Sequence, residues 1–241
     1  MKRKALLFGN TTAAGAQNDL LNWKTFLKCG RGGAWQDYEI QILSNPSKTY
    51  LQAWLKIIKD GDYDFVLVAY AGHGGWERST ILEINPEGET INEVELKGLA
   101  PREILSLDCC RGTGAATQIV DEALEKSFSA DTFSNIRARY DSRMMQASPQ
   151  QVTLYACSIG ESAYCTNDGG YYTKNLLKQS AATPSDKYVT INQAHYYAAL
   201  STKNEVMIKE NRIQTPDIAC VRCMTNQQLI IGIDTSAFII Y

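Results

Sequence analysis

No run in this 241-residue chain approaches the roughly 20 consecutive apolar residues that a membrane-crossing helix needs. No role in a membrane is therefore expected. Excess charge of either sign is also missing: 24 Lys and Arg against 26 Asp and Glu leave a formal charge of −2, with no global positive field to collect nucleic acid or anionic lipid. A nucleic-acid role would need a local patch, and none is expected. Histidine is scarce, at two residues, which leaves few candidates for general acid–base work near neutral pH. Internal repeats and low-complexity tracts are absent. The basic start Met1-Lys2-Arg3-Lys4 is followed by Ala5-Leu6-Leu7-Phe8-Gly9, too short for a signal-peptide core and without a small-residue cleavage site. That stretch reads as a first strand, and a soluble, cytoplasmic protein is expected. Seven cysteines, an odd number at irregular spacings, fit free thiols better than a disulfide framework.

What is present is an ordinary globular composition, 44% hydrophobic and 21% charged, in a length suited to one large α/β domain over residues 1–241. Apolar strand-like runs alternate with segments of helical period, the pattern of a mostly parallel central sheet with crossover helices. Strands are expected at 4–8, 38–43, 65–71, 103–107 and 152–157, with C-terminal strands at 228–233 and 237–241. Helices are expected at 16–28, after a Ser47 cap, at 171–180 and at 189–201. Residues 79–95 read as a β-hairpin turning at Asn85-Pro86-Glu87-Gly88. Residues 113–149, Ser-rich and polar, read as a long surface connection with at most short helical pieces.

The chemistry concentrates where two of these strands end, the edge at which open α/β sheets assemble their sites. After strand 65–71 comes Gly72-His73-Gly74-Gly75; after strand 103–107 comes Asp108-Cys109-Cys110-Arg111-Gly112. A cysteine nucleophile needs an imidazole nearby and backbone donors facing the developing oxyanion, and Gly74, lacking a Cβ, lets its N–H come close to a carbonyl. His195 lies within a helical pattern, where a packed or surface role fits better than catalysis. Cys29, Cys109, Cys157 and Cys165 read as small hydrophobes, and Cys220-Val221-Arg222-Cys223 has metal or redox spacing with no second pair or histidine to complete a site. A phosphatase reading of Cys110 would want an arginine six residues on, where Ala116 stands.

Taken in order, these motifs resemble the caspase-like cysteine peptidases, closest to the orthocaspases and metacaspases. Tyr70-Ala71-Gly72-His73-Gly74 resembles the family's histidine motif, Asp108-Cys109-Cys110 its Asp-x-Cys motif, and Gly15-Ala16-Gln17-Asn18-Asp19 the start of its first helix. Tyr155-Ala156-Cys157-Ser158, Glu161-Ser162-Ala163-Tyr164 and Gly169-Gly170-Tyr171-Tyr172-Thr173 resemble the opening of the small subunit, and Gln214-Thr215-Pro216 a late loop of it. The resemblance implies a caspase-like α/β fold with helices on both faces of the sheet. Residues 1–112 would form a large-subunit-like part, 113–149 an exposed connection open to self-cleavage, and 150–241 a small-subunit-like part.

It also implies a His73/Cys110 dyad with the Gly74 and Cys110 N–H groups around the oxyanion; Cys110, directly before Arg-Gly, is preferred to Cys109. Asp108, with Asp19 as second candidate, resembles the acidic floor of a pocket for Arg or Lys; the alternative is that Asp108 only caps local backbone. The substrate would be a protein or peptide, and bacterial relatives are often paired with defence effectors such as gasdermin-like proteins. With that specificity, self-cleavage is expected after Lys126, Arg137, Arg139 or Arg143, with Arg143 favoured because it lies nearest the next strand and is followed by unbranched Met144-Met145. No metal or cofactor is assigned, and no acidic cluster of calcium-ligand spacing follows Cys110. Two rival readings stay open: a non-catalytic interaction module, and a relative with another specificity such as cleavage after Asn.

Overall fold

The computed structural model describes residues 1–112, 130–182 and 188–235. In chain order the elements are β1 (Arg3–Gly9), α1 (Ala16–Lys28), β2 (Ile40–Ser44), α2 (Lys48–Lys59), β3 (Phe65–Ala71), β4 (Gly74–Trp76), β5 (Thr80–Glu83), β6 (Thr90–Asn92) and β7 (Arg102–Asp108). Then follow α3 (Ala130–Gln146), β8 (Gln150–Tyr155), β9 (Cys165–Thr166), β10 (Gly169–Gly170), α4 (Tyr171–Ser180), β11 (Tyr188–Thr190), α5 (Ile191–Glu210), β12 (Asp217–Ala219) and β13 (Ile230–Ile233).

Six strands form the central sheet in the order β12-β8-β7-β3-β1-β2, every neighbouring pair parallel except β12 with β8. The middle strands are buried on both sides, and their period of two divides their side chains between two cores. From β3, Phe65, Leu67, Ala69 and Ala71 face a core shared with α1, α3, α4 and α5, while Val66, Val68 and Tyr70 face one shared with α2 and the β5–β6 hairpin. Helices therefore cover both faces, the architecture expected of a caspase-like α/β fold. The Ser47 cap is as expected, its hydroxyl accepting from the Tyr50 N–H at 3.3 Å.

The structure departs from expectation in several places, each for a local reason. Tyr38 and Glu39 belong to a 3-10 turn and not to the second strand: the Glu39 carboxylate reaches back to the Gln36 N–H at 2.8 Å and pairs with Arg3 and Arg137. The last helix runs on to Glu210, where Asn211 takes the left-handed conformation (φ 50°) that closes it. Residues 74–76, where no strand was expected, form a short strand beside β5.

The connection is corrected most. In place of short helical pieces, residues 130–146 form a helix of 17 residues, because Ile136, Tyr140 and Met144, four apart, bury one narrow stripe in the first core. Ionic contacts tie this helix to the start of the chain: Arg3 Nη1 donates to Asp141 at 2.8 Å, and Arg137 Nη1 to Glu39 at 2.7 Å. The expected strand at 237–241, and Lys126, lie outside the described residues.

Candidate active site

Strands β3 and β7 run side by side in a register that pairs Ala71 with Asp108. The two strands thus leave the sheet at one level, and two residues further on each carries a candidate side chain, His73 on one arm and Cys110 on the other. The Gly72 N–H still donates to the Asp108 carbonyl at 3.2 Å, extending the ladder one step past the sheet. On the histidine arm the Tyr70 hydroxyl lies between the His73 and Glu83 carbonyls, 2.6 and 2.5 Å away, with its one proton to donate, and the Glu83 N–H donates to the same His73 carbonyl at 3.0 Å. The backbone of His73 is held while its ring stays exposed. Gly74 then passes so close to the cysteine arm that a Cβ there would lie 2.7 Å from the Cys109 Sγ.

The paired thiols have different surroundings. Cys109 is buried, and burial pushes its pKa well above the usual thiol range, as it pushes that of Cys157 up to about 12. Cys110 is half-buried, its Sγ 3.7 Å from the Ala163 carbonyl. Residues beyond it are pinned to the turn at 157–161: the Arg111 N–H donates to the Glu161 carbonyl at 3.0 Å, and the Gly160 N–H to that of Arg111 at 2.9 Å. Glu161 also accepts from the Thr215 N–H at 2.6 Å, joining the cysteine arm to the loop Gln214-Thr215-Pro216.

Asp108 and Asp19 meet at the N-terminus of α4. Asp108 accepts from the Thr173 N–H at 3.1 Å and from its hydroxyl at 2.6 Å. It does cap backbone, but that of a helix 65 residues away and not its own loop. Asp19, in the first turn of α1, accepts from the Gly170 N–H at 3.0 and 2.9 Å. Both carboxylates are buried. Desolvation raises the pKa of each, and the Asp108 charge raises that of Asp19 further, against the N–H donors and, for Asp19, the Lys174 charge. The glycine pair of β10 seats them: a Cβ on Gly169 would lie 2.2 Å from Asp19 Oδ1, and one on Gly170 2.2 Å from Asp108 Oδ2. Gly169, Gly170 and Thr173, which in the sequence are only part of a motif, thus shape the acidic site. Their spacing alone gave no signal of which carboxylates they would meet.

Other candidates lie elsewhere. His195 is buried, its Nδ1 2.8 Å from the Tyr172 hydroxyl, and desolvation pushes its pKa down to about 4. Cys220 and Cys223 are free thiols, the former accepting from Asn192 Nδ2 at 3.3 Å, and among the described residues no group of His, Cys, Asp and Glu could hold a metal ion. Arg137, Arg139 and Arg143 all lie within α3. Arg143 is buried there, donating to the Thr225 and Gln228 carbonyls at 3.2 and 3.3 Å.

Comparison with known proteins gives the family and the fold. No curated protein is similar in sequence. Caspase-1 of Spodoptera frugiperda, 12% identical, has a similar fold with a TM-score of 0.59 over 90% of this chain and 86% of its own. A protein of Geobacter sulfurreducens, also 12% identical, has a TM-score of 0.55 over 95% of this chain and 97% of its own. At that identity the likeness concerns the fold alone. The caspase-domain family model matches residues 2–227, nearly the whole length over which the two arms, the acidic pair and the covering helices are built. The chain belongs to the caspase-domain family of cysteine peptidases.

Proposed function

We propose that this protein is a cysteine endopeptidase that cuts after Arg or Lys, with Cys110 as nucleophile and His73 as general acid and base. The observation that carries the reading is the β3–β7 register, which sends His73 and Cys110 out of the sheet at equal distance from the paired Ala71 and Asp108, with Cys110 the accessible thiol of its pair. The Cys110 sulfur, its proton passed to His73, attacks the scissile carbonyl carbon, the Gly74 and Cys110 N–H groups donate to the resulting oxyanion, and the carbon–nitrogen bond breaks as the oxyanion collapses to a thioester. His73 gives a proton to the departing amine. It then takes one from the water that hydrolyses the thioester and returns Cys110 to its starting state.

Specificity rests on Asp19 and Asp108. Two buried carboxylates repel one another against the backbone and hydroxyl donors and the Lys174 charge that hold them, and a substrate guanidinium or ammonium relieves that repulsion by charge-assisted hydrogen bonds. An acidic residue would add to it. The substrate class is a protein or peptide with an accessible basic residue, and a gasdermin-like defence effector fits by family analogy. Self-cleavage is proposed after one of Lys126, Arg137, Arg139 and Arg143; at the last three the helix α3 must unwind before it can enter a cleft that binds extended chain, and the buried side chain of Arg143 makes it the least suited of these, against the expectation that favoured it.

The test is cleavage of fluorogenic peptides ending in Arg, Lys, Asp or Asn, with and without calcium, by the purified protein and its Cys110→Ala variant. Cleavage of the basic peptides by the first and none by the second is expected. Preference for Asp or Asn would refute the specificity, and no cleavage by either protein would favour an interaction module.

A further inference from the structure

The loop that carries Cys110 holds a second side chain that the proposed chemistry leaves unused. Arg111 is buried, faces no carboxylate within ion-pair distance among the described residues, and keeps its Nε without a hydrogen-bond partner there. Burying a guanidinium in that condition is unfavourable, so its retention beside a nucleophile calls for a physical reason. Its remaining contacts supply one. The guanidinium carbon lies 3.9 Å from the centre of the Tyr155 ring and 5.2 Å from that of the Trp76 ring, both within cation–π reach, and Nη1 donates to the Cys157 carbonyl at 3.3 Å. A flat, weakly hydrated cation suits two ring faces better than an ammonium does.

The origins of those rings matter more than their number. Trp76 ends β4, the strand that begins directly after His73, so it belongs to the histidine arm. Arg111 follows Cys110 and belongs to the cysteine arm. Tyr155 ends β8, the sheet neighbour of β7, and its hydroxyl donates to Glu93 at 3.2 Å. The two arms also run close to one another, since a Cβ on Gly75 would lie 3.7 Å from the Gly112 carbonyl. Beyond the ladder bond at Gly72, the Arg111–Trp76 contact is a side-chain link between the segments bearing the two reactive groups.

We propose that Arg111 is a positioning residue, which through Trp76 holds the His73 arm against the Cys110 arm. The inference rests on the His73/Cys110 reading given above. It makes the relative placement of imidazole and thiol depend on a residue that touches neither the substrate nor the reacting atoms.

The test uses Arg111→Ala, Arg111→Lys, Trp76→Leu and the Arg111→Ala/Trp76→Leu double variant, with kcat and KM for a basic peptide, the rate of Cys110 alkylation by iodoacetamide, and thermal stability. Loss of alignment acts on the chemical step, so Arg111→Ala and Trp76→Leu should each lower kcat by about tenfold or more while KM moves by less than about threefold. The double variant should lose no more than the worse single variant, because both remove one contact. Arg111→Lys should recover part of the rate. Cys110 alkylation should slow in His73→Ala, in Trp76→Leu and in Arg111→Ala.

Losses that multiply in the double variant, or a fall in thermal stability with kcat unchanged, would overturn the inference. Should Arg111→Ala not fold, Trp76→Leu at its half-buried site decides alone, and an unchanged kcat there is fatal. Should the wild-type protein cleave nothing, the peptidase reading fails separately and alkylation still decides: Cys110 reactivity that responds to His73→Ala but not to Trp76→Leu refutes the coupling.

Discussion

Gly170→Ala isolates the contact between the glycine pair and the acidic site. At φ −63° and ψ 140° this position suits alanine, so backbone strain does not enter, and reduced freedom of the unfolded chain should stabilise by about 0.4–1 kcal/mol. Against that, the new methyl carbon falls 2.2 Å from Asp108 Oδ2, 2.6 Å from Cγ and 2.8 Å from Oδ1. Normal contact between such atoms is on the order of 3.4 Å or more, so the carboxylate or the start of α4 must move. The carboxylate is held by the Thr173 N–H and hydroxyl, hydrogen bonds to a charged group that contribute roughly 1.5–3 kcal/mol each, and overpacking a full site costs about 1–3 kcal/mol.

The net effect expected is a destabilisation of about 2 kcal/mol, or roughly 4–8 °C in Tm for a domain of this size. Preference for basic peptides should weaken as well, as a rise in KM for Arg substrates. The discriminating measurement is a double-variant cycle by thermal or denaturant unfolding. In an Asp108→Ala background the carboxylate is gone, and Gly170→Ala should then lose its penalty and stabilise by about 0.4–1 kcal/mol. A penalty of equal size in both backgrounds would refute the reasoning.

Other outcomes follow from the same contacts. Burial and the Asp108 charge raise the pKa of Asp19, so the native state binds its proton more tightly than the unfolded chain does; the associated stability is present at acid pH and lost as pH rises through the raised value. Asp19→Asn, which keeps an acceptor for the Gly170 N–H, should raise Tm at pH 7, flatten its acid-side pH dependence and weaken selection for basic peptides. Cys110→Ser should abolish cleavage with little change in Tm. Cys109→Ser should leave the activity in place but lose about 1–3 kcal/mol by burying a more polar group, and loss of activity in Cys109→Ser alone would reassign the nucleophile. Limited trypsin digestion of the native protein, followed by mass spectrometry, should spare Arg143, since its side chain and helix are packed in place.

Much of the candidate site is legible in the sequence because strands announce their ends. A run of seven residues from Phe65 to Ala71, apolar on both faces, can only stop where the chain leaves the sheet, and His73 and Cys110 stand at two such stops. The Ser47 cap and the apolar face of α1 were local signals of the same kind. Pairing was not legible, since nothing in either run specifies that Ala71 lies opposite Asp108. The helix α3 escaped notice because its apolar stripe is only one residue wide per turn and is flanked by arginines and serines that read as loop. The seat of Asp19 on Gly169 and Gly170 joins positions some 150 residues apart in sequence. Such contacts arise from topology, not from spacing.

The way α3 is fastened bears on how this molecule could be divided. Residues 1–112 contribute β1, β2, β3 and β7, and the chain beyond 130 contributes β8 and β12. Between them lies an unbroken ladder from Arg102–Gln150 to Leu107–Tyr155, and α3 reaches back to Arg3 and Glu39 through paired charges. A backbone break within 113–129 would sever no rung of that ladder. Two polypeptides made separately, one ending and the other starting in this interval, should therefore find each other and rebuild the cleft, each alone carrying only one of the elements it requires. His73 and Cys110 would travel on one fragment and the glycine seat on the other. The protein thus lends itself to complementation, in which activity reports on the meeting of two halves that are separately silent.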